Sequence, residues 1–224
     1  SSAASDVYKR QVMANLDFIY KRKSIRKFKN QSIPKEDILT LLDAATHAPS
    51  PKNQQNWHFV VLQNRDIIKK LTEIVSESHI AIAEIARSET EKTHYMKLLK
   101  YYTLFQHAPV VIIVYANDYD MIEYDILKAN GASEQRLAEI MAPQSAAQGI
   151  GAAVENFLLA ATEMGYGACY MTGPTHAKNR IETLINFNKP GYHLMSLIAL
   201  GVPEENTPPA PKRKPLEEVV TFID

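Results

Sequence analysis

Arg22, Lys23, Ser24 and Arg26 place three cations and a hydroxyl within five residues. Guanidinium groups fork onto phosphate or onto a polarised carbonyl, and a serine hydroxyl adds a short hydrogen bond, so this cluster has the chemistry of an anion site. Charge runs are also ordinary solvated turns, and the cluster alone leaves both readings open. A second dense stretch is Pro49-Ser50-Pro51-Lys52-Asn53-Gln54-Gln55-Asn56-Trp57. Its amides sit on a rigid bend that runs into an apolar segment, and paired donors and acceptors of this kind can read the edge of a polar heterocycle. An Asx-rich turn explains the same residues equally well. Far along the chain, Arg213 lies between Lys212 and Lys214 and before Pro215. That cluster is either a second phosphate ligand or a solubilising tail.

Other chemistries leave no trace. The seven histidines form no HExxH or comparable ligand spacing, so no metal is expected. No GxGxxG is present, and Thr172-Gly173-Pro174 is too short to be a dinucleotide fingerprint, so any nicotinamide would visit as a transient substrate. Cys169 is the single cysteine, which excludes an intrachain disulfide. A buried structural thiol in a reducing, cytoplasmic setting is the reading adopted for it. Lysine plus arginine and aspartate plus glutamate number 25 each, and this balance argues against nonspecific nucleic-acid binding. The opening SSAASDVYKRQVM has no apolar h-region, and the most apolar stretch, near Gly149 to Ala161, carries Glu155 and Asn156. Neither a secretory signal nor a membrane span is expected.

These residues must be positioned by elements that the hydropathy pattern predicts. Tyr8, Val12, Leu16 and Ile19 recur at helical spacing behind Ser5 or Asp6. Pro34 opens a helix with Ile38, Leu41, Leu42 and Ala45 on its buried face, and the prolines at 49 and 51 end it. Trp57 to Leu62 reads as a strand, with Trp57 in the core. Asp66 to Ala86 and Lys92 to Phe105 read as helices, and Val110 to Tyr115 as a central strand. Tyr119 to Gly131 has no clean period and reads as a loop or short helix. Small residues at Ala147, Ile150, Gly151, Val154, Leu158 and Ala161 mark a core or interface helix over Ser145 to Gly165. Strands are expected at Ala168 to Met171 and His193 to Leu200, with a helix between them. Five prolines from Pro203 to Pro215 then hold an extended arm that ends in a strand-like segment, Leu216 to Ile223. An unpaired apolar strand needs covering, so the arm either crosses its own body or reaches a second subunit.

Taken together, the motifs resemble the nitroreductase family. The resemblance runs through RKSIRKF at Arg22 to Phe28, APSPKNQQNWHFVV at Ala48 to Val61 and QSAAQGIGAAVENFLLAATEMGYGACYMTGP at Gln144 to Pro174. It continues with HLMSLIALGVP at His193 to Pro203 and PKRKPLEEVV at Pro211 to Val220. It implies an α+β fold with a mixed, mainly antiparallel sheet flanked by helices, formed by one domain over residues 1–224. Residues 203–224 would be an arm exchanged in a homodimer. By the same resemblance, Arg22, Lys23 and Ser24 would hold the phosphate of FMN together with Lys212 and Arg213, and Arg26 would lie near N1 and O2 of the ring. Pro49, Ser50, Asn53 and Gln55 would reach the ring and ribityl region from the partner chain. Met171, Thr172 and Gly173 would approach N5 and O4. The activity implied is ping-pong hydride transfer from NAD(P)H to a nitroaromatic or quinone-like acceptor, with the flavin and no side chain carrying the chemistry. Other members dehalogenate, fragment flavin or oxidise thiazolines, so a narrow-substrate flavoprotein and a flavin-binding regulatory or storage protein remain the alternatives.

Overall fold

In a computed structural model, residues 16–223 are described. Most of the expected first helix, including Tyr8 and Val12, lies outside them; residues 16–21 are helical. Helix α1 (Lys35–Thr46) starts behind Pro34 and buries Ile38, Leu41 and Ala45, as its apolar spacing requires. Strand β1 (Trp57–Leu62) is half-buried along its whole length. Helix α2 (Arg65–Glu84) is capped by Asn64, whose side chain accepts from the N–H groups of Asp66 and Ile67.

The single helix expected over Lys92 to Phe105 is corrected to three shorter pieces: α3 (Glu89–Met96), α4 (Leu99–Tyr102) and a 3-10 turn at Leu104–His107. Its polar start gives α3 no buried face, and the apolar residues cluster only toward Leu104 and Phe105. Strand β2 (Val110–Asn117) follows and is buried except at its last residue, which fits an unbroken β-branched run. The region read as a loop or short helix forms two helices, α5 (Ile122–Ala129) and α6 (Glu134–Met141). They make a separate cap that buries none of its own residues. Both are amphipathic nonetheless, and Ile122, Ile126 and Met141 stay exposed.

Helix α7 (Ser145–Glu163) buries Gly149, Ile150, Ala153, Val154, Phe157, Leu158 and Ala161. Strand β3 (Gly167–Met171), a 3-10 turn at Gly173–Ala177, helix α8 (Lys178–Leu184) and strand β4 (Tyr192–Gly201) complete the body. The sheet has the order β1-β2-β4-β3, and every neighbouring pair is antiparallel. A parallel bridge between Ser24 and Ala168 lays the 22–28 segment along the outer edge of β3.

Two cores follow from the alternation of side chains across the sheet. One face packs Val111, Ile113, Tyr115, Leu197 and Ala199 against α2 and α8. The other packs Val110, Ile112, Val114, Ile198 and Leu200 against α1 and α7. Trp57 is half-buried at the margin of the second core. Cys169 is buried in the first, and burial pushes its thiol up, against the pull of the Arg26 charge and a Ser24 hydrogen bond.

The arm departs from the sequence reading. Leu216 to Ile223 contains a 3-10 turn at Leu216–Glu218 and no strand. Phe222 and Ile223 are 85% and 95% exposed. A strand exists only where an edge is paired, and among the described residues the arm's end pairs with none.

Candidate flavin site

The cationic segment is seated by backbone bonds. Ile25 donates its N–H to the Ala168 carbonyl at 2.9 Å and Lys29 donates to Val202 at 2.8 Å, so residues 22–28 are held extended against β3 and the end of β4. Gly167 makes this approach possible, because a β-carbon there would stand 2.7 Å from the Ile25 side chain. Ser24 and Arg26 are consequently exposed on the strand edge while Ile25 and Phe28 turn inward.

Each expected phosphate ligand has a definite environment. Arg22 lies half-buried with Nε 3.2 Å from a carboxylate oxygen of Glu155 on α7, which orients the guanidinium and leaves its terminal nitrogens to a ligand. Lys23 donates to the Thr207 and Pro208 carbonyls at 3.4 and 2.8 Å, so its ammonium tethers the arm. Arg26 donates to the Ser24 carbonyl at 3.5 Å. Lys23, Ser24, Arg26 and Lys27 line a hollow of about 270 Å³ whose opposite wall is Thr207, Pro208, Pro209 and Pro211. Lys212 and Arg213 follow Pro211 directly and are exposed, and neither lines this hollow.

The Ser50 bend is shaped by unusual backbone. Lys52, Asn53 and Gln55 all have positive φ, at 53°, 51° and 48°. Left-handed conformations in this number are costly for residues with side chains and persist where the surroundings fix them. Ser50 accepts from the Gln55 N–H at 3.0 Å, and the Asn53 N–H donates to the Ser50 carbonyl at 2.9 Å. Pro49 and Pro51 rest against Gly149, where a β-carbon would come within 3.4 Å of the Pro51 ring. Among the described residues, no hydrogen bond or ion pair joins this bend to the 22–26 segment. Within one chain they are two separate clusters.

At the far end of β3, Thr172 is exposed and Gly173 half-buried. The Thr172 carbonyl accepts from the N–H and hydroxyl of Thr175 at 3.1 and 2.7 Å. Pro174 has no N–H and that of Thr175 is taken by Thr172, so the Gly173 N–H is the donor this turn leaves at the strand end. The reason for a glycine is specific. A β-carbon on Gly173 would stand 2.6 Å from the Tyr102 ring, so the position is small because an aromatic ring packs into it.

Sequence reasoning missed three contacts that connect these parts. Gln54 hydrogen-bonds the backbone of Asp120. Lys52 pairs with Glu123 at 3.6 Å and lies over the Tyr119 ring. His193 meets Asp118 at 2.6 Å. Lys52 reaches the cap itself and the other two hold the 118–120 segment that leads into it, all across long sequence separations that nothing local signals. No group of three or more acidic, histidine or cysteine side chains able to hold a metal occurs among the described residues. No described helix is long and apolar enough to cross a membrane.

The comparisons fit this geometry. A BluB-like flavoprotein from Clostridium difficile 630 is 38% identical over 93% of this chain and 98% of its own, with a TM-score of 0.88. A nitroreductase with bound FMN from Bacteroides fragilis NCTC 9343 shares the fold at 20% identity, covering 93% of this chain and 98% of its own, with a TM-score of 0.69. Among curated proteins, an NADH dehydrogenase/NAD(P)H nitroreductase of Methanothermobacter thermautotrophicus is 29% identical over 85% of this chain and 78% of its own. An iodotyrosine deiodinase of Thermotoga neapolitana is 25% identical over 92% and 97%. The sequence profile of the nitroreductase family matches residues 19–202, from the turn before Arg22 to the end of the last strand, and the chain belongs to that family.

Proposed function

We propose that this protein is an FMN-dependent oxidoreductase. It takes hydride from NAD(P)H and delivers it, in a ping-pong order, to a nitroaromatic or quinone-like acceptor, working as a cytoplasmic homodimer with one flavin-binding domain per chain. The observation that carries the reading is the seating of the 22–26 cluster on one end of β3 while the 171–173 turn occupies the other. Cations and a hydroxyl suited to a phosphate thus share one strand with a backbone donor suited to the polar edge of a ring, Ser24 and Thr172 lying about 13 Å apart along extended chain. The 38% identity to a flavoprotein over nearly the whole chain supports the same assignment.

The donor set fits FMN. Arg22, oriented by Glu155, would fork onto the phosphate, with the Ser24 hydroxyl adding a short bond. Lys23 would hold the arm so that Lys212 and Arg213 close the phosphate site. Arg26, exposed on the same edge, would face the pyrimidine side and favour negative charge there. Met171, Thr172 and Gly173 would position the opposite edge of the ring. Pro49, Ser50, Asn53 and Gln55 would serve the partner chain's flavin, which accounts for the separation of the two clusters. Bound FMN supplies hydride exchange at N5; the protein supplies binding, orientation and exclusion of water. The dimer reading is supported by the exposed apolar end of the arm, at Leu216, Val219, Phe222 and Ile223.

Anaerobic titration of the FMN-loaded protein with NADH and then NADPH tests the proposal. Bleaching of the flavin spectrum is expected, and a flavin that neither donor bleaches removes the NAD(P)H step. A second reading is a narrow-substrate reductive dehalogenase, favoured by the deiodinase match and by a separate two-helix cap over residues 122–141. Turnover of halogenated aromatics without general nitro reduction would select it.

A further inference from the structure

His176 stands between two carbonyl groups. Its Nδ1 lies 2.6 Å from the Gly173 oxygen and its Nε2 3.3 Å from the Val75 oxygen of α2. A carbonyl can only accept, so each contact needs an N–H on the ring. Neutral imidazole carries one and imidazolium carries two. The geometry is fully served only by the cation.

The neighbouring histidine is in the opposite situation. His79 is fully buried, with Nε2 2.9 Å from the Tyr95 carbonyl and Nδ1 lacking a partner among the described residues. A donating Nε2 beside a bare Nδ1 defines a neutral ring. Burial holds its pKa below the ordinary histidine value, and nearby His176 acts in the same direction against the Tyr95 hydrogen bond. The two rings are 5.9 Å apart, so the neutrality of His79 leaves this corner able to hold one charge, on His176.

The Tyr102 ring favours that charge, while the Lys178 and Arg180 cations beside the ring oppose it. The Tyr102 ring lies 5.7 Å from His176, within reach of a cation–π attraction, and it is the ring that packs against Gly173. The Tyr95 ring stacks on the far side of His79. Of the other charged groups at this corner, Glu77 of α2 pairs with Arg180 of α8. Lys178 lines, with Ser78, Asn179 and Arg180, a hollow of about 240 Å³ that reaches His176. Solvent protons therefore have access to the ring.

We propose that His176, carrying two N–H groups, is a positioning residue of the flavin site: it clamps the Gly173 carbonyl to Val75 and holds a positive charge behind the 171–173 turn. The assignment rests on the reading that this turn meets the FMN ring. Reduced flavin carries more negative charge than oxidised flavin, so a fixed cation behind the turn favours the reduced form. No bond to the flavin is involved. His176 acts through the turn it holds.

Two measurements test the inference. Nitrogen NMR of the histidine rings at neutral pH should show both nitrogens of His176 protonated and only one of His79. The midpoint potential of bound FMN should fall in His176→Gln, which retains one donor and removes the charge. A tenfold weaker preference for the reduced form is expected, about 30 mV for a two-electron couple. FMN affinity should change less than that. A singly protonated His176, or an unchanged potential in a variant that still binds FMN, overturns the assignment. A wild-type protein that takes up no FMN overturns the functional reading instead. Should the variant fail to fold, the ring spectrum of the unsubstituted protein decides.

Discussion

The side-chain amide of Gln54 closes a ring on the backbone of Asp120, its Nε2 donating to the carbonyl at 3.1 Å and its Oε1 accepting from the N–H at 3.3 Å. Gln54 belongs to the left-handed bend and Asp120 leads into the cap, so one side chain joins a proposed flavin contact to the element beside it. With Lys52 and Glu123 contributing an exposed ion pair, the two hydrogen bonds are the stronger link. Replacing Gln54 with alanine should remove about 1 kcal/mol per bond. Amide exchange over residues 119–142 should quicken while exchange in β2 and β4 stays as it was. Unchanged exchange in the cap would dismiss Gln54 as its anchor.

Arg22→Ala should raise the FMN dissociation constant about ten- to a hundredfold, the loss of a charge-assisted contact. Lys92→Ala is the control, since among the described residues Lys92 pairs with Glu84 on the remote α2–α3 corner. Equal affinities in fluorescence titration would take Arg22 out of the site.

Gly173→Ala tests the packing at the turn. Its new methyl would enter the Tyr102 ring at 2.6 Å and should cost about 1–3 kcal/mol in urea unfolding. Combining it with Tyr102→Leu should recover part of that loss, because the smaller side chain vacates the space. A double-mutant cycle showing no coupling would mean that the turn yields elsewhere.

His79 gives a pH dependence of known sign. Its folded pKa lies below the ordinary value of 6.5, chiefly because of burial, so the unfolded chain takes up the proton first. The stability gained by keeping it neutral is complete above about pH 6.5 and is lost as pH falls through the folded pKa. Urea midpoints measured from pH 7.5 down to 5 should therefore decline, and His79→Leu should flatten the decline. His58, whose pKa burial also holds down, leaves a residual slope. An identical slope in the variant would move the effect away from His79.

Removing the arm from Pro211 onward should shift sedimentation toward monomer and weaken FMN binding, since it takes Lys212, Arg213 and the exposed apolar end together. A population that sediments as before would leave the arm without a role in association.

Much of this protein is written locally in its chain. The β-branched run of β2, the spacing of Ile38, Leu41 and Ala45, and the small residues of α7 each determine an element, because backbone preference and burial period act over a few neighbours. The motif residues were legible too: three cations and a serine in five positions carry their chemistry wherever the fold puts them. Tertiary structure alone decided what each of them touches. It seated residues 22–28 on the edge of β3, paired Arg22 with Glu155, turned Lys23 to the arm, and filled the space at Gly173 with Tyr102. The second cap helix and the two-carbonyl seat of His176 were likewise invisible in the sequence, while the first cap helix was one of the two readings of Tyr119 to Gly131. Contacts between residues a hundred positions apart depend on how whole elements pack, and no local pattern encodes that distance; at the arm's end a strand-like run of residues, Leu216 to Ile223, forms no strand because apolar pattern alone supplies no pairing edge.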